Sequence, residues 1–551
     1  MNPLLLIIFA IMCIAAVNAA RKSGNAFSSD AENENTSAVL SFLYKHEKKL
    51  AVLILIIGIL VRISFFWVTP DGLNQDEASL AYDAYADLTY GQDRNGDHNP
   101  VYSVAWGSGH SSFYITFTKL FIALFGLNVF SVRATNVLFG VIALFAFWGI
   151  AKRINRRSAV ISLFLFAICP WHIMMCRWGL DCNVFPNVFL LGLYFLMRGL
   201  EDKRWYPVSM VIFGLSLYGY GAAYMTVPVF LLLTAVYLLY NKKITVKMTV
   251  VSAAVFLVVA LPIIIFMVIN TFGLSELNLG FITIPKLISG RYNSTVTVLS
   301  GGLGAAFKNL SVLTSLLFVQ YDGLPWNAIP EYGTLYLFSV PFLILGIIYV
   351  IKNTAAVKKK YSPMALLLFM LIASLVLAIL SKLNINRANF MYPALIMVLA
   401  EGILYVITHL KKPAYAILPI YLCVFLLFTG TYFTSYREKI GHYFFLGTGD
   451  AITYAIENTN DDIYITEKIN GPYVFALFYD KTDPQVFIDT VDYENPNSQV
   501  RKVNSFDRFI TGIPEELPDD GAFILHKSEK EKFADKYNLK EFGNYYVATK
   551  K

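Results

Sequence analysis

Cysteine is scarce in this 551-residue chain, and none of it is placed to cross-link. Cys13, Cys169, Cys176, Cys182 and Cys423 all fall in or beside apolar segments, and none follows Tyr432, so neither a disulfide framework nor a zinc site is signalled. Cys176 and Cys182 are close enough in sequence to approach each other, although buried small hydrophobes are the simpler reading. There is no Walker A loop and no HExxH, and the spacing from His98 to His110 matches no compact ligand motif. The chemistry those motifs carry is set aside. No resident cofactor is called, and a divalent metal could enter only through carboxylates. Repeats and low-complexity stretches are also absent.

What the chain has is apolar sequence. Hydrophobic residues make up 56% of it and mean hydropathy is +0.54, against roughly 45 to 50% apolar usage in soluble domains. The net charge of +7 does not point to nucleic acid, because Lys and Arg sit in short clusters between apolar runs. A spanning helix needs about 20 apolar residues. Runs near 3–20, 50–68, 129–151, 158–176, 184–199, 206–222, 224–240, 248–270, 333–351, 362–380, 391–409 and 414–431 come close, so a polytopic α-helical membrane protein of about 12 spans is expected. The runs at 184–199 and 206–222 are short. The first ends in small residues, as a signal peptide would, but lacks a positive start and is followed by Arg21 and Lys22, which favours an uncleaved helix.

Every second loop is basic: Lys45 with Lys48 and Lys49, Lys152 to Arg157, Lys203 with Arg204, Lys242 to Lys247, Lys358 to Lys360, and Lys411 with Lys412. The positive-inside rule puts these in the cytoplasm of a multi-pass plasma-membrane protein. The other face then carries residues 69–128, 271–332 and 381–390, together with the tail from Tyr432. Domains are accordingly expected at 1–49 (a membrane helix and cytoplasmic linker), 50–431 (the transmembrane domain) and 432–551. The tail alternates helix-like pieces (DAITYAIEN, SEKEKFADKY) with strand-like ones (DDIYIT, QVFIDT, GAFILHK, NYYVAT), the pattern of a small extracytoplasmic α/β domain. Lacking a phosphate loop or acid-base cluster, it reads as a recognition or structural lid. The segment from Ser111, SSFYITFTKLFIALFG, carries Lys119 and would invert every later loop if it spanned, so it reads as a helix lying in the interface.

The first outer loop is the most polar stretch beside any membrane run. It holds Asp76, Glu77, Asp83, Asp87, Asp93 and Asp97, with Tyr82, Arg94, His98, Trp106 and His110. Single loop carboxylates are commonly just solvated, but acids interleaved with aromatics and amides suit a sugar, whose hydroxyls need paired acceptors and whose C–H faces stack on rings. The adjacent pair Asp76 and Glu77 is well placed to work as a base on a hydroxyl at the bilayer surface. Arg177, beside Trp178 and Asp181, and Arg387, in NINRANFMYP, are outward arginines that call for an anionic partner unless they only anchor at the bilayer edge. Lys286 and Arg291 are weaker candidates.

The order of these pieces, NQDEASLAYDAY, GQDRNGDHNPVY, WGSGHSSFYITFTKLFIALFG, SVRATNVLFG, RWGLDCN and NINRANFMYP, resembles the membrane glycosyltransferases of the GT-C class. Within that class it is similar to family-39-like protein mannosyltransferases and bacterial aminoarabinose transferases, over about residues 50–431. The resemblance implies a hexosyl or pentosyl transferase that takes its sugar from polyprenyl phosphate and passes it, with inversion, to a hydroxyl on a glycan, lipid or protein of the cell envelope. Asp76 is then the general base with Glu77 in support. Tyr82, His98, His110, Arg177, Asp181 and Arg387 are expected to bind substrate, and Arg177 or Arg387 would stabilise the departing phosphate. In Arg387 the match departs from the family pattern, because Ala388 and Asn389 intervene before the aromatic. A transporter or lipid flippase would also suit twelve spans, but its charges should sit at mid-bilayer, and a non-catalytic scaffold would leave the loop acids inert.

Overall fold

The computed structural model describes residues 3–23, 38–288, 296–356, 361–410, 415–498, 500–518 and 520–551. All twelve apolar runs are helical there, but seven helices are long and apolar enough to cross a membrane, or eight if the bent pair Ile417–Phe433 and Ser435–Phe444 is one span. The shortfall from about twelve has local causes. Run 158–176 breaks at Cys169, where Ala159–Ile168 ends and Pro170 opens the six-residue helix Pro170–Met175. Proline has no N–H for the ladder, so a break frees carbonyls that lipid cannot satisfy. Arg62, itself fully buried, reaches from Glu47–Ile63 to donate to the carbonyls of Phe166 and Ala167 at 3.0 and 2.9 Å. Run 206–222 stops at Leu217, and the chain turns through residues 218–222.

Packing between spans depends on close backbone approach rather than on the hydrophobic effect, which is weak between helices already in lipid. A Cβ on Gly346 would lie 1.9 Å from the Val398 carbonyl, and one on Gly402 would lie 1.9 Å from that of Phe342. Val340–Ala356 and Tyr392–Leu410 therefore touch backbone to backbone. The basic clusters Lys358 to Lys360 and Lys411 with Lys412, like Arg291, lie outside the described residues.

Residues 271–332, expected as a mixed outer loop, contain the helix Val298–Phe318. It packs along Ala365–Leu380, with Asn309 Nδ2 donating to the Ile379 carbonyl at 3.0 Å, and it leaves Leu303 and Phe307 exposed. Gly301, Gly302, Lys308 and Asn309 interrupt its apolar pattern, which is why the run is not conspicuous in the sequence.

In the first loop, Gln75–Tyr90 forms a helix whose start is set by a capping box. Asn74 Oδ1 accepts from the Asp76 N–H at 2.9 Å, Glu77 Oε2 accepts from the Asn74 N–H at 2.9 Å, and Gly91 closes the helix in a left-handed conformation. A two-stranded hairpin, Tyr102–Ala105 with Ser108–Ser111, leads into the helix Ser112–Phe125. At 14 residues that helix is roughly 21 Å long, too short to cross about 30 Å of hydrocarbon. It packs on Gln75–Tyr90 and is tied to it by Lys119 and Asp87 at 2.6 Å.

The tail builds a seven-stranded sheet. Its spatial order is Tyr537–Phe542, Tyr545–Lys550, Ala522–His526, Ile463–Ile465, Phe509–Thr511, Val503–Phe506, Asp492–Tyr493, with parallel pairings on both sides of Ile463–Ile465 and antiparallel pairings toward both edges. With the helices Thr448–Asn458 and Pro472–Asp480 it is the α/β domain expected. Two local expectations fail. QVFIDT lies in the helix Pro484–Thr490, because Asp483 caps the N–H groups of Gln485 and Val486 and Pro484 is preset for the first helical turn. SEKEKFADKY forms only the short 3-10 turn Lys530–Phe533.

Candidate functional site

The two adjacent acids of the first loop part company in the structure. Glu77 is fully buried and spent: its carboxylate takes Arg133 Nε at 2.8 Å and Nη2 at 3.0 Å, the Gly179 N–H at 2.6 Å and the Asn74 N–H at 2.9 Å. Arg133 uses its remaining donors on the carbonyls of Phe66, Pro70 and Gly72. Such a saturated buried pair holds the loop, the helix Val129–Ile154 and the Gly179 turn together. Glu77 thus has the contacts of a group that positions the loop. Asp76, one residue earlier, is half-buried and points elsewhere.

Around Asp76 the fold gathers groups that are distant in sequence. Asp181, the first residue of Asp181–Glu201, lies within electrostatic range of Asp76, and its Oδ1 accepts the Cys182 N–H at 2.6 Å. Tyr220, in the turn that ends run 206–222, lies within range of Asp181, Arg387 and Tyr102. Burial raises its phenol above the ordinary value, so it remains an O–H donor. Tyr224 interacts with Tyr102 and Asp181. Arg387 is half-buried on the turn Ile385–Ala388, which Asn384 caps. Its Nη1 donates to the Lys382 carbonyl at 2.8 Å, and it forms no ion pair among the described residues. Asn389 locks this turn to the others, accepting from Trp171 Nε1 at 2.8 Å and donating to the Cys182 carbonyl at 3.1 Å. Two carboxylates, two half-buried phenols and a guanidinium without an ion-pair partner among the described residues are thus linked, neighbour to neighbour, by electrostatic contact. Tyr220 and Tyr224 are absent from the sequence reading because an aromatic at the end of an apolar run looks like a membrane-interface anchor.

One turn along from Asp76 the helix presents Ser79, whose Oγ lies 2.6 Å from His110 Nε2 and accepts Trp106 Nε1 at 3.0 Å. Burial and Arg94 depress His110 to about 3, so the imidazole is neutral. Beyond it lie Asp83 and Asp93 beside Arg94, which pairs with Asp83 at 3.3 Å, and Asp97 within range of Arg501. Burial pushes Asp83 and Asp93 upward, and burial with the neighbouring Asp93 and Glu276 lifts Asp97 to about 6. Among the described residues no three His, Cys, Asp or Glu side chains are arranged to hold a metal ion.

Other expected ligands lie elsewhere. Tyr82 is buried and donates to the Thr482 carbonyl of the tail at 2.9 Å, joining two domains rather than facing a substrate. His98 is exposed on the rim, its Nδ1 3.3 Å from the Gly91 carbonyl. Arg177 is wholly buried. Its guanidinium donates to the carbonyls of Val61 at 2.8 Å, Arg62 at 3.2 Å, Ser64 at 2.6 Å and Thr69 at 3.2 Å and lies against Tyr432 and Phe433, so it caps the end of Glu47–Ile63. Trp178 is buried against Phe444. Lys286 Nζ donates to the Gly273 carbonyl. All five cysteines are free thiols.

The fold, a spanning bundle whose first loop pairs a capped acidic helix with a short apolar one, is similar to that of solved membrane proteins. The family model for dolichyl-phosphate-mannose-protein mannosyltransferase matches residues 110–266, a stretch that takes in Arg133, Asp181, Tyr220 and Tyr224. The whole chain is similar to ArnT from Cupriavidus metallidurans bound to undecaprenyl phosphate, at 13% identity and a TM-score of 0.53, covering 93% of this chain and 98% of that one. The apo state of the same protein gives 13% and 0.52, with 91% and 98% covered. The oligosaccharyltransferase of Archaeoglobus fulgidus in complex with zinc and sulfate scores 0.47 at 15% identity, with 78% of this chain and 61% of that one covered. No curated protein sequence matches the chain.

Proposed function

We propose that the chain is a glycosyltransferase that moves a sugar from a polyprenyl-phosphate carrier to an acceptor hydroxyl, at the outer face of the membrane and with inversion. The observation that carries this reading is the divergence of the acid pair. Glu77 is consumed by Arg133, while Asp76, in the same capping box, lies within electrostatic range of Asp181, which neighbours Tyr220 as Arg387 does. The undecaprenyl phosphate bound by ArnT supports a polyprenyl carrier.

In this mechanism Asp76 takes the proton of the acceptor hydroxyl as its oxygen bonds to the anomeric carbon from the face opposite the carrier. The bond from that carbon to the phosphate oxygen breaks and the electron pair leaves with the polyprenyl phosphate. Arg387 and the Tyr220 O–H stabilise the departing charge in a water-poor space. Asp181 accepts a further sugar hydroxyl. The stretch 50–431 acts as the catalytic domain and 432–551 as an extracytoplasmic cover for the first loop.

The test is transfer of radiolabelled sugar from polyprenyl phosphate to endogenous acceptor in membranes carrying wild type or Asp76→Asn at matched protein level. Transfer by wild type and none by the variant is expected, and unchanged transfer by the variant removes Asp76 as base. A protease-sensitive tag after Lys551 in intact cells tests sidedness; its protection would reverse the topology.

A further inference from the structure

A second cleft opens between the first loop and the spanning helix Val246–Phe272. Asp87, Ser103, Ser112, Lys119, Tyr218 and Pro262 stand in its walls, and it holds ≈ 170 Å³ of space, against about 10–15 Å³ needed for one water. A single strand divides it from the candidate site. Tyr102 lies within range of Tyr220 and Tyr224, whereas Ser103, whose side chain leaves the opposite face of the strand Tyr102–Ala105, lines the cleft. On the partner strand the Ser111 N–H bonds the Asp181 carboxylate and Ser111 Oγ donates to the Tyr218 carbonyl, while Ser112, next in the chain, faces the cleft.

Two polar groups in these walls are buried and unmet. Asp87 pairs through Oδ2 with Lys119 at 2.6 Å, but its Oδ1 has no hydrogen-bond partner among the described residues, although the side chain is only 8% exposed. Ser103 is 1% exposed, and its hydroxyl likewise makes no hydrogen bond among the described residues. Such groups are rare, because each forfeits the hydrogen bond it had in water. Two of them lining one cleft fit a ligand that supplies the missing bonds. Lys119 adds donors, since its ammonium carries three and Asp87 takes one.

The charge of the cleft is balanced. Asp87 and Lys119 cancel, and Asp83, one turn back on the same helix and within range of Asp87, pairs with Arg94. An anion would meet the carboxylate and a cation the ammonium, so a free ion of either sign is poorly matched. Two adjacent hydroxyls match both: one donates to Asp87 Oδ1, the other accepts from Lys119 Nζ, and the Ser103 hydroxyl is a third partner. Val101, Ile115 and Pro262 give the rest of the wall an apolar surface for the C–H face of a ring.

We infer that this cleft seats one neutral sugar ring through two adjacent hydroxyls and, resting on the glycosyltransferase reading, that the ring belongs to the acceptor, whose reacting hydroxyl extends past Ser111 toward Asp76. A sugar carried on a lipid and a free oligosaccharide offer the same hydroxyls.

Amine labelling of the full chain in phosphatidylcholine nanodiscs, read by peptide mass spectrometry, tests it. Lys119 reports on the cleft, and Lys286, which is exposed and outside it, is the control. The probes are galactobiose in solution, galactosyl diacylglycerol in the disc, and diacylglycerol without sugar. The sugar-bearing probes should slow labelling of Lys119 at least fivefold with Lys286 unchanged, and the form that does so at the lower concentration is the source. No protection by either sugar, or equal protection by diacylglycerol alone, would overturn the proposal. Thr116→Trp sets an indole across the cleft from an exposed position. It should abolish protection with an unchanged melting temperature, and protection as in wild type would also overturn the site. Asp87→Asn should raise the sugar concentration needed about tenfold. Protection without transfer by any donor leaves the cleft standing and removes the acceptor role, whereas transfer that depends on Asp76 without protection removes the cleft and leaves the catalytic reading.

Discussion

Acids at the two ends of the bundle are treated differently. At the end that carries Lys152 to Arg157, Glu47 faces Arg156 at 3.0 Å and Lys152 at 3.5 Å, and buried Glu401 accepts from Ser158 at 2.7 Å and Asn155 at 2.8 Å. Each buried acid there is answered. At the first loop, Asp87 Oδ1 and Asp93 Oδ2 are buried with no hydrogen-bond partner, and Asp181 lies within electrostatic range of Asp76. Leaving buried acids in excess costs stability, and a fold that can saturate them at one end has no structural need to leave them open at the other. Buried acids with raised carboxyl values, collected at one end, mark that end as the candidate site.

The largest expected effect comes from Asp76→Asn, which should lower transfer by about 10²- to 10⁴-fold with little change in melting temperature. Glu401→Gln at the opposite end should leave transfer within about twofold, and equal losses in both variants would dissolve the contrast between the ends. Glu77→Ala should act on stability instead. Stranding the buried Arg133 costs about 3–5 kcal/mol, to be read as a drop in melting temperature of the purified protein, and a stable but inactive variant would return Glu77 to the chemistry. Arg387→Ala should cut turnover about tenfold to a hundredfold with Arg387→Lys recovering part of it, whereas Arg177→Lys should show itself in unfolding, because its partners are backbone carbonyls.

The smallest effect concerns pH. Asp97 has a folded value raised to about 6 from about 3.9 unfolded, so the folded state holds the extra proton between those values and stability falls as pH rises through that window. His110 has a folded value lowered to about 3 from about 6.5 unfolded, so stability is present above the unfolded value and falls as pH drops toward the folded one. One proton changes the slope by at most about 1.4 kcal/mol per pH unit. Thermal unfolding between pH 4 and 6 should therefore change slope in opposite directions for Asp97→Asn and His110→Gln, and shifts of the same sign would refute the burial assigned to one of them.

Much of the fold could be read in advance because apolar length is a one-dimensional property. The runs around residues 129–151 and 248–270 needed no tertiary information, and the short apolar run in GAFILHK carried its strand. Breaks inside runs were harder to see: 158–176 counts as one run by apolar length, and only the structure shows it broken before Pro170, with Arg62 satisfying the carbonyls beside the break. QVFIDT has strand composition, and only the Asp483 cap ahead of it decides otherwise. The acid pair was conspicuous, but the division of labour within it depends on Arg133, which sits 56 residues away inside a membrane run. Arg177 and Arg387 are equivalent as outward arginines in sequence. Burial among carbonyls distinguishes the first, and the company of Tyr220 distinguishes the second.

The backbone contact at Gly346 and Gly402 bears on how the site can move. The span Ile385–Leu410 carries Arg387 at one end, and glycine contact welds it further along to Val340–Ala356. Such a post has no slack with which to swing toward an arriving carrier lipid. In the proposed reaction Arg387 is then a fixed bearing mark for the phosphate, and the travel needed for each turnover falls on the lipid and on the arginine's own side chain.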